Sequence, residues 1–124
     1  MPTVEEKLGL PIVAFESARA WEGWLKDYHQ SSKGVWVKIA RKNARVPSVT
    51  YDELVEAALC YGWIDSQAGS YDESYWLQRF TPRARRSKWS RINRAKVAGL
   101  IESGRMQPAG LAAVELAKSS GAWD

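Results

Sequence analysis

One cysteine, one histidine and the absence of any long apolar run exclude several classes of protein at once. A lone Cys60 cannot close an internal disulfide, which fits a reducing compartment. It lies in an apolar helical stretch with no histidine nearby, and reads as an inert core thiol. One histidine and one cysteine cannot build an ordinary zinc site, so no metal is expected. His29 falls at the end of the first expected helix, where a cation is favourable. The longest unbroken apolar stretch is "AALCYGWI", residues 57–64, well short of the roughly 20 residues that cross a bilayer. No membrane insertion is expected. The opening "MPTVEEKLGLP" has acids where a secretory signal has bases, and no apolar segment follows. The expected location is therefore cytoplasmic. No P-loop, dinucleotide fingerprint or Ser-His-Asp arrangement appears, so no cofactor is expected, and hydrolase, kinase and dehydrogenase chemistry lack support.

What the chain does have is enough apolar character to fold. At 45% hydrophobic and 26% charged over 124 residues, it is expected to form a single domain over 1–124, with 1–11 as a flexible N-terminal segment. Its charge is unevenly placed. Residues 1–73 carry 8 bases and 11 acids, residues 74–101 carry 8 bases and no acid, and residues 102–124 carry 2 bases and 3 acids. The excess positive charge is thus confined to one quarter of the chain, which points to an anionic partner.

Local patterns predict the elements. "IVAF" at 12–15 reads as a short strand, and Ser17 as a helix N-cap. Trp21, Trp24, Leu25 and Tyr28 share one helical face, with Glu22 and Lys26 paired outside. "VWVKIARK" at 35–42 alternates as a half-buried strand. In "TYDE", Thr50 and Glu53 form a capping box for a second helix that ends near Gly62. "WID" and "YWLQRF" read as strands paired across "SQAGSYDES". Two helices close the chain, one from Ser90 to Gly104 and one from Pro108 to Gly121. In the first of these, Ile92, Asn93, Lys96, Val97, Leu100 and Ile101 share a side. The expected fold is α+β, a small, mostly antiparallel sheet packed against about four helices.

The candidate site residues cluster in "RFTPRARRSKWSRINRAK", residues 79–96. Arg79, Arg83, Arg85, Arg86 and Lys88 offer charge for phosphate, and Arg forks suit it bidentately. Ser87 and Ser90 offer hydroxyls at a helix start, and Trp89 offers stacking. The alternative is a solvated loop whose arginines pair with Asp65, Asp72 or Glu73. In "GWIDSQ", Trp63, Asp65 and Gln67 fall on alternate strand positions and so on one side, where Asp65 could face Arg79. A carboxylate there serves either as a general base or as an anchor for the basic loop. Asn93 either orients such a pocket or satisfies backbone groups. Of seven tryptophans, Trp21 and Trp24 read as core. Trp36, Trp63, Trp76 and Trp89 are less fixed.

Three stretches, "ALCYGWIDSQ" at 58–67, "RFTPRARRSKWSRIN" at 79–93 and "GRMQPAGLAAVELAKSSGAWD" at 104–124, resemble the YdeI/OmpD-associated family of small bacterial proteins. The resemblance runs from about Phe15 to Asp124. It implies a stress-related or bacteriocin-protection role, and a further basic helical segment beyond "GAWD" that this chain lacks. Together these features predict a non-enzymatic binding module for an anionic partner, a phosphate-bearing small molecule or nucleic acid. The alternatives are a small enzyme using Asp65, Gln67, Asn93 and an arginine, or an interaction protein. The last would form a homodimer or hold a protein partner through the small-residue face of "AGLAAVELAK" or an exposed Trp123.

Overall fold

The computed structural model describes residues 5–44, 46, 48–84 and 87–123. Nine elements follow in order: β1 (Glu6–Lys7), β2 (Leu10–Ala14), α1 (Ala18–Tyr28), β3 (Val35–Ala40), α2 (Tyr51–Cys60), β4 (Trp63–Ser70), β5 (Tyr75–Pro82), α3 (Arg91–Glu102) and α4 (Pro108–Ser120). The strands form one sheet in the order β1-β2-β3-β5-β4. Only β2 and β3 are parallel, joined by a crossover through α1, and every other pair is antiparallel. The fold is α+β, as the residue patterns predict.

The helix starts follow from local chemistry. Ser17, Thr50 and Ser90 each accept a backbone N–H three residues on, from Ala20, Glu53 and Asn93. Thr50 also donates its own N–H to Glu53 Oε1 at 2.9 Å, which completes the capping box. Gly121 takes the left-handed conformation, with φ 81°, where the α4 C-terminus requires it.

The main core lies between the sheet and the helices. Val35, Val37 and Ile39 of β3 and Phe80 of β5 meet Trp21 and Leu25 of α1, Leu54, Val55 and residues 57–60 of α2, Val97 and Leu100 of α3, and Val114 and Ala117 of α4. A smaller cluster of Leu10, Trp36 and Leu77 covers the sheet's other face. That second cluster corrects the half-buried reading of β3, because Trp36 is only 1% exposed. Its indole N–H donates to Lys7 O at 2.9 Å, and Tyr71 donates to the Glu5 carboxylate. These bonds also correct the flexible segment expected over 1–11, since from Glu5 onward the chain is tied across the sheet.

Two further expectations change. Glu22 pairs with Arg105 at 3.0 Å rather than with Lys26, and Arg105 also reaches Glu56 at 3.3 Å. On α3, only Val97 and Leu100 are buried, while Ile92 and Ile101 are 69% and 47% exposed. The helix therefore packs through a narrow stripe, and Ile92 is left facing solvent.

Candidate functional site

The basic stretch leaves the end of β5, crosses a loop and enters α3. Arg85 and Arg86, both expected to offer charge for phosphate, lie outside the described residues. Arg79 sits on the sheet's second face, 6.0 Å from the Trp36 ring, and donates to Gln67 Oε1 at 3.4 Å. Arg83 turns inward. Its backbone N–H donates to Gly62 O at 2.9 Å, its Nη2 donates to Lys88 O at 2.7 Å, and its guanidinium lies 3.9 Å from the Trp89 ring centre. Burial pulls its pKa below the ordinary value, opposed by the Asp65 carboxylate. Ser87 is half-buried, with its N–H on Ala84 O, while Lys88 and Ser90 are exposed.

Trp89 is corrected by this arrangement. It is 6% exposed, with Arg83 on its ring and Trp123 at a ring separation of 5.1 Å. Its surface is already covered from within, so it cannot stack on an incoming base. Trp36 and Trp63, each 1% exposed, are core as well. Trp123, expected to be exposed, is half-buried against Trp89. The small-residue face of α4 is likewise used inside the fold, where Gly110 lies directly against the carbonyl of Cys60.

The strand carrying Asp65 also departs from simple alternation. From Trp63 to Asp65 the register is regular and puts Asp65 opposite Phe80, not Arg79, and β4 is bulged between Asp65 and Ala68. Gln78, 5% exposed, holds the bulge by donating from Nε2 to Gln67 O at 3.0 Å. The extra residue separates the expected set. Gln67 meets Arg79 on the second face, Trp63 is buried in the main core, and Asp65 turns toward the helices, where its carboxylate accepts from the Tyr51 hydroxyl. Burial first, and then that carboxylate, raises the Tyr51 pKa and keeps its proton in place.

Asp65 thereby reaches a cavity of about 410 Å³ between α2 and α3. It is lined by Tyr51, Asp52, Val55, Asp65, Ser90, Ile92, Asn93 and Lys96. Three expected site residues, Asp65, Ser90 and Asn93, thus come together, although by a route the strand pattern does not contain. Lys96 stands 3.9 Å from Asp52. Tyr51 and Asp52 escaped sequence reasoning because they are separated from Asp65 in the chain and joined to it only by packing. Lys96 had a signal, its place beside Asn93 on α3.

No acid pairs with Arg79, Arg83, Lys88, Arg91 or Arg94 within 4.0 Å among the described residues, so the structural ion pairs weighed against a binding role do not form there. Instead, Nε of Arg79, Nε and Nη1 of Arg83 and Nε of Arg94 are buried side-chain nitrogens without a hydrogen-bond partner among the described residues. All four belong to the basic stretch. No group of acids, cysteine and histidine suited to a metal is found among the described residues.

Cys60 is 4% exposed, and burial pushes its thiol pKa from 9.0 up to about 11. In the unfolded chain the thiol ionises at lower pH, so its contribution to stability is complete below about pH 9 and is lost as pH rises toward 11. A thiol reagent at neutral pH should leave the native protein unlabelled and label it promptly in denaturant. Part of the loss of stability at alkaline pH should disappear in Cys60→Ala. Rapid native labelling would show that the site is open.

The geometry can be set against known proteins. A family model for a domain of unknown function, DUF8412, matches residues 13–113. The chain belongs to the DUF8412 family. The DUF8412 match takes in the cavity and all of the basic stretch, and leaves β1 outside. No curated protein and no solved structure matches the chain.

Proposed function

We propose that this DUF8412 protein is a binding module for a phosphate-bearing partner, held by the 79–96 stretch. The observation that carries the proposal is the run of Arg79, Arg83, Lys88, Arg91 and Arg94, none of which has an acidic partner within 4.0 Å among the described residues. Lys88, exposed and without an acidic partner among them, adds charge at the rim.

The sequence resemblance to the YdeI/OmpD-associated family supports a stress-related or bacteriocin-protection setting. We place the protein in the cytoplasm, in keeping with a single free cysteine. No helix among the described residues is long and apolar enough to cross a membrane.

The test is a titration followed by tryptophan fluorescence, because Arg83 lies on Trp89 and a change at the guanidinium alters that indole's surroundings. Inorganic phosphate and a labelled oligonucleotide serve as parallel probes at low and near-physiological salt. On duplex DNA, each neutralised phosphate adds about 0.9 to the negative slope of log affinity against log salt. Binding should weaken in Arg83→Ala, Arg94→Ala and Lys88→Ala, the last at an exposed residue. A salt slope of several units identifies a nucleic-acid surface, and a response to phosphate alone identifies a small-anion site. No response to either probe removes the proposal.

A further inference from the structure

The cavity between α2 and α3 holds hydrogen-bonding groups that the fold itself does not use. Tyr51 donates to Asp65 Oδ2, which fixes the carboxylate and leaves Oδ1 without a partner among the described residues. Asn93 contributes only its backbone N–H, to Ser90 Oγ at 3.1 Å. Its side-chain amide and the Ser90 hydroxyl proton remain uncommitted among the described residues.

The charged groups on the cavity are Asp52 and Asp65 against Lys96. Lys96 is already near Asp52, whose side chain is 80% exposed, so Asp65 dominates the inner part. An uncommitted carboxylate oxygen accepts and cannot donate, and therefore selects a ligand group bearing N–H. The walls are Val55 and the Tyr51 ring, apolar surfaces suited to a flat ring, with Ile92 at the open rim. The volume of about 410 Å³ is within the usual span of small-molecule sites. Ser90, on the cavity, directly follows Trp89, on which Arg83 rests, and the Asp65 carboxylate is near enough to Arg83 to act on its guanidinium.

Building on the phosphate-binding reading above, we propose that the cavity receives an amino-bearing nucleobase and that the protein's phosphate ligand is a nucleotide. Asp65 Oδ1 accepts from the exocyclic amine, Asn93 bonds the neighbouring ring nitrogen, and the phosphate lies toward Arg83. Tyr51 acts as a positioning residue through its bond to Asp65.

Calorimetric titration of the full chain tests the proposal with adenosine monophosphate, purine riboside monophosphate and the two nucleosides. Purine riboside keeps the ring nitrogens but has no amine and no ring N–H on that edge, so Asp65 Oδ1 is left without a donor. The wild type should prefer the adenine nucleotide by about tenfold or more. Asp65→Asn should shrink that preference, because a neutral amide accepts more weakly than a carboxylate. Tyr51→Phe should shrink it. Arg83→Ala should weaken both nucleotides alike and leave their ratio unchanged.

Equal binding of the two nucleotides, still sensitive to Arg83→Ala, overturns the nucleobase site while the phosphate reading stands. Nucleosides that bind as well as their nucleotides, with the adenine preference intact, overturn the phosphate reading and leave the nucleobase site in place. Failure of all four compounds to bind at millimolar concentration overturns the nucleobase site. The wild-type ratio decides the matter even if Asp65→Asn does not fold.

Discussion

Trp21→Ala is expected to destabilise the protein by about 3–5 kcal/mol, the range for deleting a large buried aromatic side chain. Trp21 has no exposed surface, and its ring centre lies 5.1 Å from Phe15, 5.3 Å from Phe80 and 5.5 Å from a stacked Trp24. These contacts join α1 to β5 and to the residue that follows β2, so the loss cannot be absorbed by one neighbour moving. The indole N–H also donates to Leu54 O at 3.0 Å, which fixes α1 against α2. Trp21→Phe keeps an aromatic ring and removes that donor, and should cost roughly half as much. Urea denaturation measures both. A Trp21→Ala loss below about 1 kcal/mol would mean that the site collapses and refills, contrary to the packing described.

Gly110→Ala is the second large effect, expected at about 3 kcal/mol or more, at the upper end of overpacking costs. A Cβ at Gly110 would stand 2.3 Å from Cys60 O and 2.7 Å from Leu59 O, both backbone atoms of α2. Neither can swing aside as a side-chain tip would, so α4 must lift from α2. Gly99 supplies the contrast. It lies in the interior of α3 and nothing stands within 4 Å of a Cβ built there. Gly99→Ala should stabilise by about 0.5–1 kcal/mol through helix propensity. Thermal melts of the pair should therefore move in opposite directions. A neutral Gly110→Ala would show that α4 is not seated against α2 as described.

Much of the fold was legible because its signals are local. Ser17, Thr50 and Ser90 cap helices through atoms three residues away, and the face of Trp21 and Leu25 repeats at the helical period. The candidate site was legible in its parts but not in its assembly. Asp65 lies opposite Phe80 on the helix side of the sheet, where Tyr51 meets it, and one extra residue after it carries Gln67 to the other face, against Arg79. Nothing in "WIDSQ" announces that bulge, because Gln78 of the neighbouring strand holds it. Trp89 was misread for a related reason. Its loop position looks exposed, whereas Arg83, six residues earlier, folds back over its ring. Ile92 fits an apolar arc by spacing alone, yet α3 touches its neighbours along a stripe too narrow to include it.

The same bulge has a consequence for how the molecule meets copies of itself. β4 is the outermost strand of the sheet, and a straight outer strand offers its free amides and carbonyls as a template for another chain. An irregularity between Asp65 and Ala68 spoils the even spacing that such a template needs. At the opposite border, β1 is only two residues long, too short to recruit a partner strand. Both margins of the sheet are thus poor nuclei for cross-β growth, and the bulge that carries Gln67 to Arg79 also protects the chain against that form of aggregation.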